Sequence, residues 1–388
     1  MQPLSVRMYF FLFAAVSIGS SWLAQRFPLR RRSLLRNEVP NPLGVLPPMV
    51  LLVWFSGMRR GVGDTPYYVH SYLRYWVEGA PKPQWQFGEV FLNWVYYFEA
   101  HTKPIGMYGQ WIILIMAIFF LVPTVLVLYR YAESLSTALF FLIATGTLAY
   151  SMNGIRQFAA AGVLLLGSHF FFGKRLIRSF LGFLPFVLLA YLIHKSAPIM
   201  IPVFFLVRFR AFSWMSYTMI VGAVGAVLFA RLLMPGFLDM LRGSDYSVYA
   251  ETGWFEETHG SSLLRLLIAA TPLVFAYFYR RQFGAMGKSG DILINLTFLH
   301  VAILTLSLYN WIFARLSIYF YVYYILFLDR VFAYLRQQYG SPNVATVLGC
   351  VLYTVWGWRE SSGGFDEMLN FHLPGYTVPD IPIPDVFG

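Results

Sequence analysis

The chain has 388 residues, 58% hydrophobic and 19% aromatic, with only 12% charged. A soluble domain is roughly a quarter charged, so the composition excludes an ordinary globular enzyme. The net charge of +11 does not mark a nucleic-acid binder either, because the basic residues recur in short loops between apolar runs, as topology signals do.

Apolar runs of about 17 to 22 residues are long enough to cross a bilayer as helices. The chain reads as an all-α polytopic membrane protein, a single integral-membrane domain over residues 1–388 with about 12 transmembrane helices. Helix one is expected over Met8–Ala24. No small-residue cleavage site follows it, so it is kept as a helix. The densest basic loop comes next, with Arg26, Arg30, Arg31, Arg32 and Arg36. Placing that loop inside puts the N-terminus outside. Helix two, Leu43–Gly57, leads into a first long outer segment, 58–107, in which Glu89–Phe98 suits an interfacial helix. Helices three and four follow at Tyr108–Leu128 and Leu135–Tyr150, and helix five starts after Asn153 and ends at Gly173.

Helix six is expected over Phe180–Ile193 and helix seven over His194–Val207. Helix seven is short and contains Pro198 and Pro202. Reading it as a full span keeps the later basic loops inside. Helix eight, Trp214–Leu233, precedes a second long outer loop, 235–262. The last four helices are Leu263–Tyr279, Ile292–Tyr309, Leu316–Phe332 and Val344–Trp356, ahead of a Pro-rich outer tail, 359–388. In this scheme the inner loops hold more than half of the Lys and Arg and under a quarter of the Asp and Glu. No internal repeat supports an inverted-repeat transporter.

Polar residues from six segments converge on the outer level of this topology. They are Arg59, Arg60 and Asp64 after helix two, Glu89, Arg156 at the start of helix five, His194-Lys195-Ser196 between helices six and seven, and Asn310 with Arg315 between helices ten and eleven. An arginine in hydrocarbon costs roughly 3 kcal/mol or more, so Arg156 should face protein or water. Bland readings exist for each. Arg60 would snorkel to headgroups, Asp64 would cap the turn that Pro66 suggests, and Glu89 would cap an interfacial helix. His169 and His300 read as hydrogen-bonded core residues.

Taken together, the constellation suits an oxygen-rich anion, since guanidinium forks match phosphate geometry. Arg156, Arg315 and Arg60, with Gln157 and Lys195, are the expected ligands of such a phosphate group, which the family resemblance given below makes a lipid diphosphate. His194, Asp64 and Glu89 are the candidates for acid/base work. Tyr67, Tyr68, Trp85 and Asn153 are expected to meet sugar. The lone Cys350 gives no disulfide framework. No metal-ligand spacing and no Gly-rich phosphate loop is present, so neither metal nor nucleotide cofactor is expected.

At these residues the chain resembles the EpsG family of exopolysaccharide polymerases, similar in role to Wzy O-antigen polymerases. The resemblance rests on Arg60, Gly63-Asp64 with Tyr67 or Tyr68, Glu89, Asn153 with Arg156-Gln157, His194-Lys195-Ser196, and Arg315 before Tyr319-Phe320. It covers about Arg59 to Tyr324, with no counterpart for 235–262 or the tail. It implies a GT-C-like, Wzy-type architecture in a bacterial plasma membrane. It also implies a reaction at the outer face that joins repeat units carried on undecaprenyl diphosphate. A flippase and a chain-length regulator are the partners of such a pathway. The alternatives are a ligase on the same carrier, a flippase or transporter, and a membrane acyltransferase.

Overall fold

The structure is a computed structural model. It describes residues 6–28, 40–59, 63–102, 109–230, 232–236, 260–284, 286–340 and 342–365, with backbone only for 6–10 and 361–365. Arg60, the arginines at 30, 31, 32 and 36, most of the second long loop and residues 366–388 of the expected tail lie outside these residues.

Among the described residues every element is helical. Helix α1 is Val6–Arg26, and α2 is Leu46–Gly57 after a 3-10 turn at Pro42–Val45. Next come α3 Thr65–Val77, α4 Val90–Thr102, α5 Gln110–Tyr131, α6 Leu135–Ala144, α7 Thr147–Tyr150, α8 Ile155–Leu166, α9 Ser168–Phe171 and α10 Leu176–Ile193. A 3-10 turn at Ala197–Ile199 leads into α11 Met200–Leu206, followed by α12 Trp214–Leu228. The chain continues through α13 Leu263–Phe278, α14 Arg280–Gly284 and α15 Gly287–Leu306. A 3-10 stretch, Trp311–Phe320, runs into α16 Tyr321–Tyr339, and α17 is Val344–Phe365.

Four of these segments are long and apolar enough to span a bilayer: Gln110–Tyr131, Leu176–Ile193, Gly287–Leu306 and Trp311–Tyr339. Shorter apolar helices lie at other expected runs. The protein is a polytopic α-helical membrane protein.

Several runs are subdivided where one helix was expected. Helix four breaks at Thr145-Gly146, which separates α6 from α7. Helix five breaks at Gly167, so α8 ends at Leu166 and α9 begins at Ser168. The expected start of helix eleven is 3-10, opened by Asn310, whose Oδ1 accepts from the Ile312 N–H at 2.9 Å. The last helix runs to Phe365, well past Trp356. His300 is buried between the Tyr321 and Tyr324 rings. His169, expected in a core, is exposed instead, because the break at Gly167 turns it out past the end of α8.

The first outer segment holds two helices, α3 and α4, and not one. The Pro66 read as a turn residue sits in the first turn of α3, where its missing N–H costs nothing.

Contacts divide the chain into two units. The first holds 1–169, 181–199 and 344–388, and the second 170–180 and 200–343. In the first, α5 packs against α8 and α2, and α1 against α2 and α6. Gly162 permits the approach of α8 to α5, for a Cβ there would run into the Phe119 carbonyl. In the second, α12, α13, the 3-10 stretch and α16 pack around α15. Asn295 of α15 accepts from Ser216 Oγ at 2.7 Å and donates to the carbonyls of Val207 and Phe209. All its polar atoms are thereby occupied, as burial requires.

Candidate functional site

The site in the first unit is built around the turn that precedes α8. Gly154 has φ of 65°, a left-handed conformation that a glycine adopts without strain. Its N–H donates to Asp64 Oδ2 at 2.5 Å, while the Asp64 N–H donates to the Met152 carbonyl at 3.2 Å. Asp64 is the residue before α3, yet its side chain makes no cap to that helix. The carboxylate fastens the α8 turn to the α3 turn. It therefore has a fixed structural duty, of a different kind from the local turn cap that Pro66 suggests.

That fastening sets the first turn of α8, which carries Arg156. Arg156 Nε donates to the Tyr68 hydroxyl at 3.1 Å, and Nη1 donates to the Gly88 carbonyl at 3.3 Å. Glu89 Oε1 lies 3.6 Å from the same Nη1. The Arg156 and Glu89 side chains are 21% and 34% exposed, so this ion pair is open to one side. A partly exposed pair of this kind contributes on the order of 1 kcal/mol or less, so a stronger anion could displace the carboxylate. At that distance the contact is an ion pair and not a hydrogen bond.

Tyr68 is buried and acts as a strut. Its hydroxyl meets Arg156, and its carbonyl accepts from the Tyr96 hydroxyl of α4 at 3.0 Å. Burial pushes the Tyr68 phenol above its ordinary range, so it stays neutral. Its neighbour Tyr67 is 67% exposed and meets the Tyr68 ring edge-on. Trp85 is also exposed and leans edge-on against Phe87, which stacks on Tyr191 at 5.1 Å. Exposed rings thus stand on the same loop and helix that hold Arg156.

The loop after α10 joins this cluster through Gly88, whose φ is 80° and on whose position Lys195 is packed. The Lys195 N lies 3.0 Å from where a Cβ on Gly88 would be. Next to it, His194 Nδ1 is bonded to Ser196 Oγ at 2.8 Å and accepts from the Ser196 N–H at 3.2 Å. With Nδ1 accepting, the neutral ring carries its proton on Nε2. Asn153 is exposed and Gln157 is buried. Arg315 belongs to the second unit, where its guanidinium lies over the Trp311 ring at 5.3 Å.

Three supporting residues were given no role by sequence, although Arg59 was counted among the converging polar residues. Arg59 is 2% exposed. It donates to the Ser56 carbonyl, to Ser56 Oγ at 3.1 Å, to Thr65 Oγ1 at 3.0 Å and to the Met152 carbonyl at 3.3 Å. Burial lowers its pKa to about 9, which leaves it charged at neutral pH. Gln110, first in α5, donates to the Gly57 and Arg59 carbonyls. Glu99 of α4 accepts from the Gly109 N–H at 2.6 Å, at the positive end of α5. Burial pushes its carboxyl up to about 7. A usable signal was a lone carboxylate in the aromatic helix α4. Nothing in the sequence separates Arg59 from Arg60.

The arrangement provides a fixed, half-open guanidinium beside a displaceable carboxylate, with aromatic surface at hand. Such a site can hold an anion while a base stands next to it. A family model described as the EpsG family matches residues 46–371. No curated protein and no solved structure matches the chain. The family match takes in most of the chain and every described residue of the site: this protein belongs to the EpsG family.

Proposed function

We propose that the protein is a polymerase of exopolysaccharide or O-antigen-like glycan, using repeat units carried on undecaprenyl diphosphate. Family membership supports the exopolysaccharide class. The observation that carries the chemistry is Arg156, oriented by Tyr68 and Gly88 and left partly open.

In this reading Arg156 takes a diphosphate oxygen in place of Glu89. A hydroxyl of the acceptor unit attacks the anomeric carbon of the donor chain. The new glycosidic C–O bond forms as the bond to the diphosphate breaks, and the leaving diphosphate keeps the electron pair. Guanidinium charge stabilises that leaving group as it develops. Glu89, released from Arg156, receives the hydroxyl proton. His194, with its proton on Nε2, donates a hydrogen bond to a substrate oxygen, and Asp64 holds the α8 turn. Lys195, Arg60 and Arg315 are further cations for the diphosphate, assigned on chemistry alone. Tyr67, Trp85 and Asn153 meet sugar. The reaction side is the outer face of a bacterial plasma membrane, in the sense set by the basic loops. A flippase and a chain-length regulator would act before and beside it.

The test is Arg156→Ala expressed in cells that make the polymer. Single repeat units should accumulate on the lipid although the protein still inserts. Long lipid-linked chains would point instead to a ligase, and normal polymer would end the assignment.

A further inference from the structure

The helices that carry the Arg156 turn have a second polar opening at their other ends. A cavity of about 400 Å³ lies where α5 and α8 finish. From Gln110 to Arg130 along α5 is about 30 Å of helix, the thickness of a bilayer's hydrocarbon core. The cavity therefore lies a membrane thickness from the Gln110 end of α5, and about 15 Å along α8 from Arg156.

Its walls are layered. Leu126 of α5 and Leu166 of α8 are apolar and 42% and 49% exposed. About one turn further along come Tyr129 and Arg130 on α5, and Ser168 and His169 past α8. Both helices thus present an apolar step toward the bilayer centre and a polar step at the surface. Arg130 is exposed, its guanidinium lies over the Tyr131 ring at 5.6 Å, and it pairs with no carboxylate among the described residues. The carbonyl ends of α5 and α8 bring negative partial charge to this end, which disfavours a bare anion. A ligand that adds apolar contact to its phosphate meets both conditions.

We infer that this cavity is a phospholipid site. The headgroup phosphate sits at Arg130, with the Ser168 hydroxyl and the His169 imidazole beside it, while the Tyr129 hydroxyl donates to the Pro40 carbonyl at 3.1 Å. An acyl chain lies over Leu126 and Leu166. The shared chemistry is a phosphate, and two sources are distinguishable, a membrane phospholipid and free phosphate.

The test uses the full-length protein in detergent, incubated with dioleoyl-phosphatidylglycerol, with bound lipid counted by native mass spectrometry. Arg130→Ala and Leu166→Trp should each lower bound lipid at least threefold, the first by removing the charge and the second by filling the apolar step. Arg130→Lys should keep more than half. Arg280→Ala, which removes an exposed arginine over Tyr277 in the other unit, should leave the count unchanged. Inorganic phosphate should not displace the lipid. Equal lipid on all four variants would overturn the site, and displacement by inorganic phosphate would make it a free-phosphate site. Both cavity residues are exposed, so the variants should fold; equal elution volume and unfolding temperature verify this.

Discussion

The turn after α2 and the first turn of α8 each hold an arginine, and the two are held in opposite ways. Arg59 is enclosed, and its hydrogen bonds go to neutral oxygens of Ser56, Thr65 and Met152. Arg156 meets a phenol, one carbonyl and one carboxylate, and part of it faces outward. A guanidinium has five donors in a fixed fork. Where buried oxygens fill the fork the arginine is a rivet, and where a half-exposed carboxylate holds one prong the fork stays open to another anion. The difference lies in the identity and exposure of the partners, because both residues sit beside the same Met152–Gly154 turn.

Replacing each arginine in turn breaks the comparison most forcefully. Arg156→Ala should lower polymer formation by at least a hundredfold, about 2.7 kcal/mol or more in transition-state terms, while the unfolding temperature in detergent barely moves. Arg59→Ala should do the reverse first. It leaves buried oxygens of Ser56, Thr65 and Met152 without a donor, at about 1–3 kcal/mol for each group left unsatisfied. The unfolding temperature should therefore drop, and the activity lost should return in part at low temperature.

Glu99 sharpens the contrast from the acidic side. Burial raises its carboxyl from 4.5 to about 7. Between those values the folded chain holds a proton that the unfolded chain has released. Stability of the first unit should fall as pH rises through that window, by about 3 kcal/mol once the window is crossed. Glu99→Gln keeps an oxygen for the Gly109 N–H and should flatten the slope. Thermal unfolding from pH 4 to pH 8 measures it. The smallest effect belongs to Trp85, which is 65% exposed. Trp85→Ala should raise KM for the lipid-linked unit a few fold with kcat and stability little changed, as loss of a stacking surface would.

Much of this was legible in the chain. Apolar run length located the helical regions, because a bilayer fixes how long a span must be, but among the described residues four helices, and not about twelve, are long and apolar enough to span. Breaks within runs were not legible, since Gly146 and Gly167 sit in sequence that is apolar on both sides. Helix α3 was missed because its start signal, Asp64-Thr65-Pro66, serves a turn and a helix equally well. Asp64, Glu89 and Arg156 were picked out as charges in unusual company, and they do share one cluster. Their division of labour was not legible. It depends on which oxygen meets Gly154, on Tyr68 turning inward while Tyr67 turns out, and on Arg59 being enclosed. These are tertiary facts with no local pattern.

The central claim is that Arg156 holds an anion and Arg59 does not. Its most direct test is binding of undecaprenyl diphosphate to the purified protein, compared with Arg156→Ala at fixed pH and salt. The account predicts at least tenfold weaker binding for the variant, about 1.4 kcal/mol, with a fold as stable as the parent's. Unchanged affinity in a stably folded Arg156→Ala protein would contradict it.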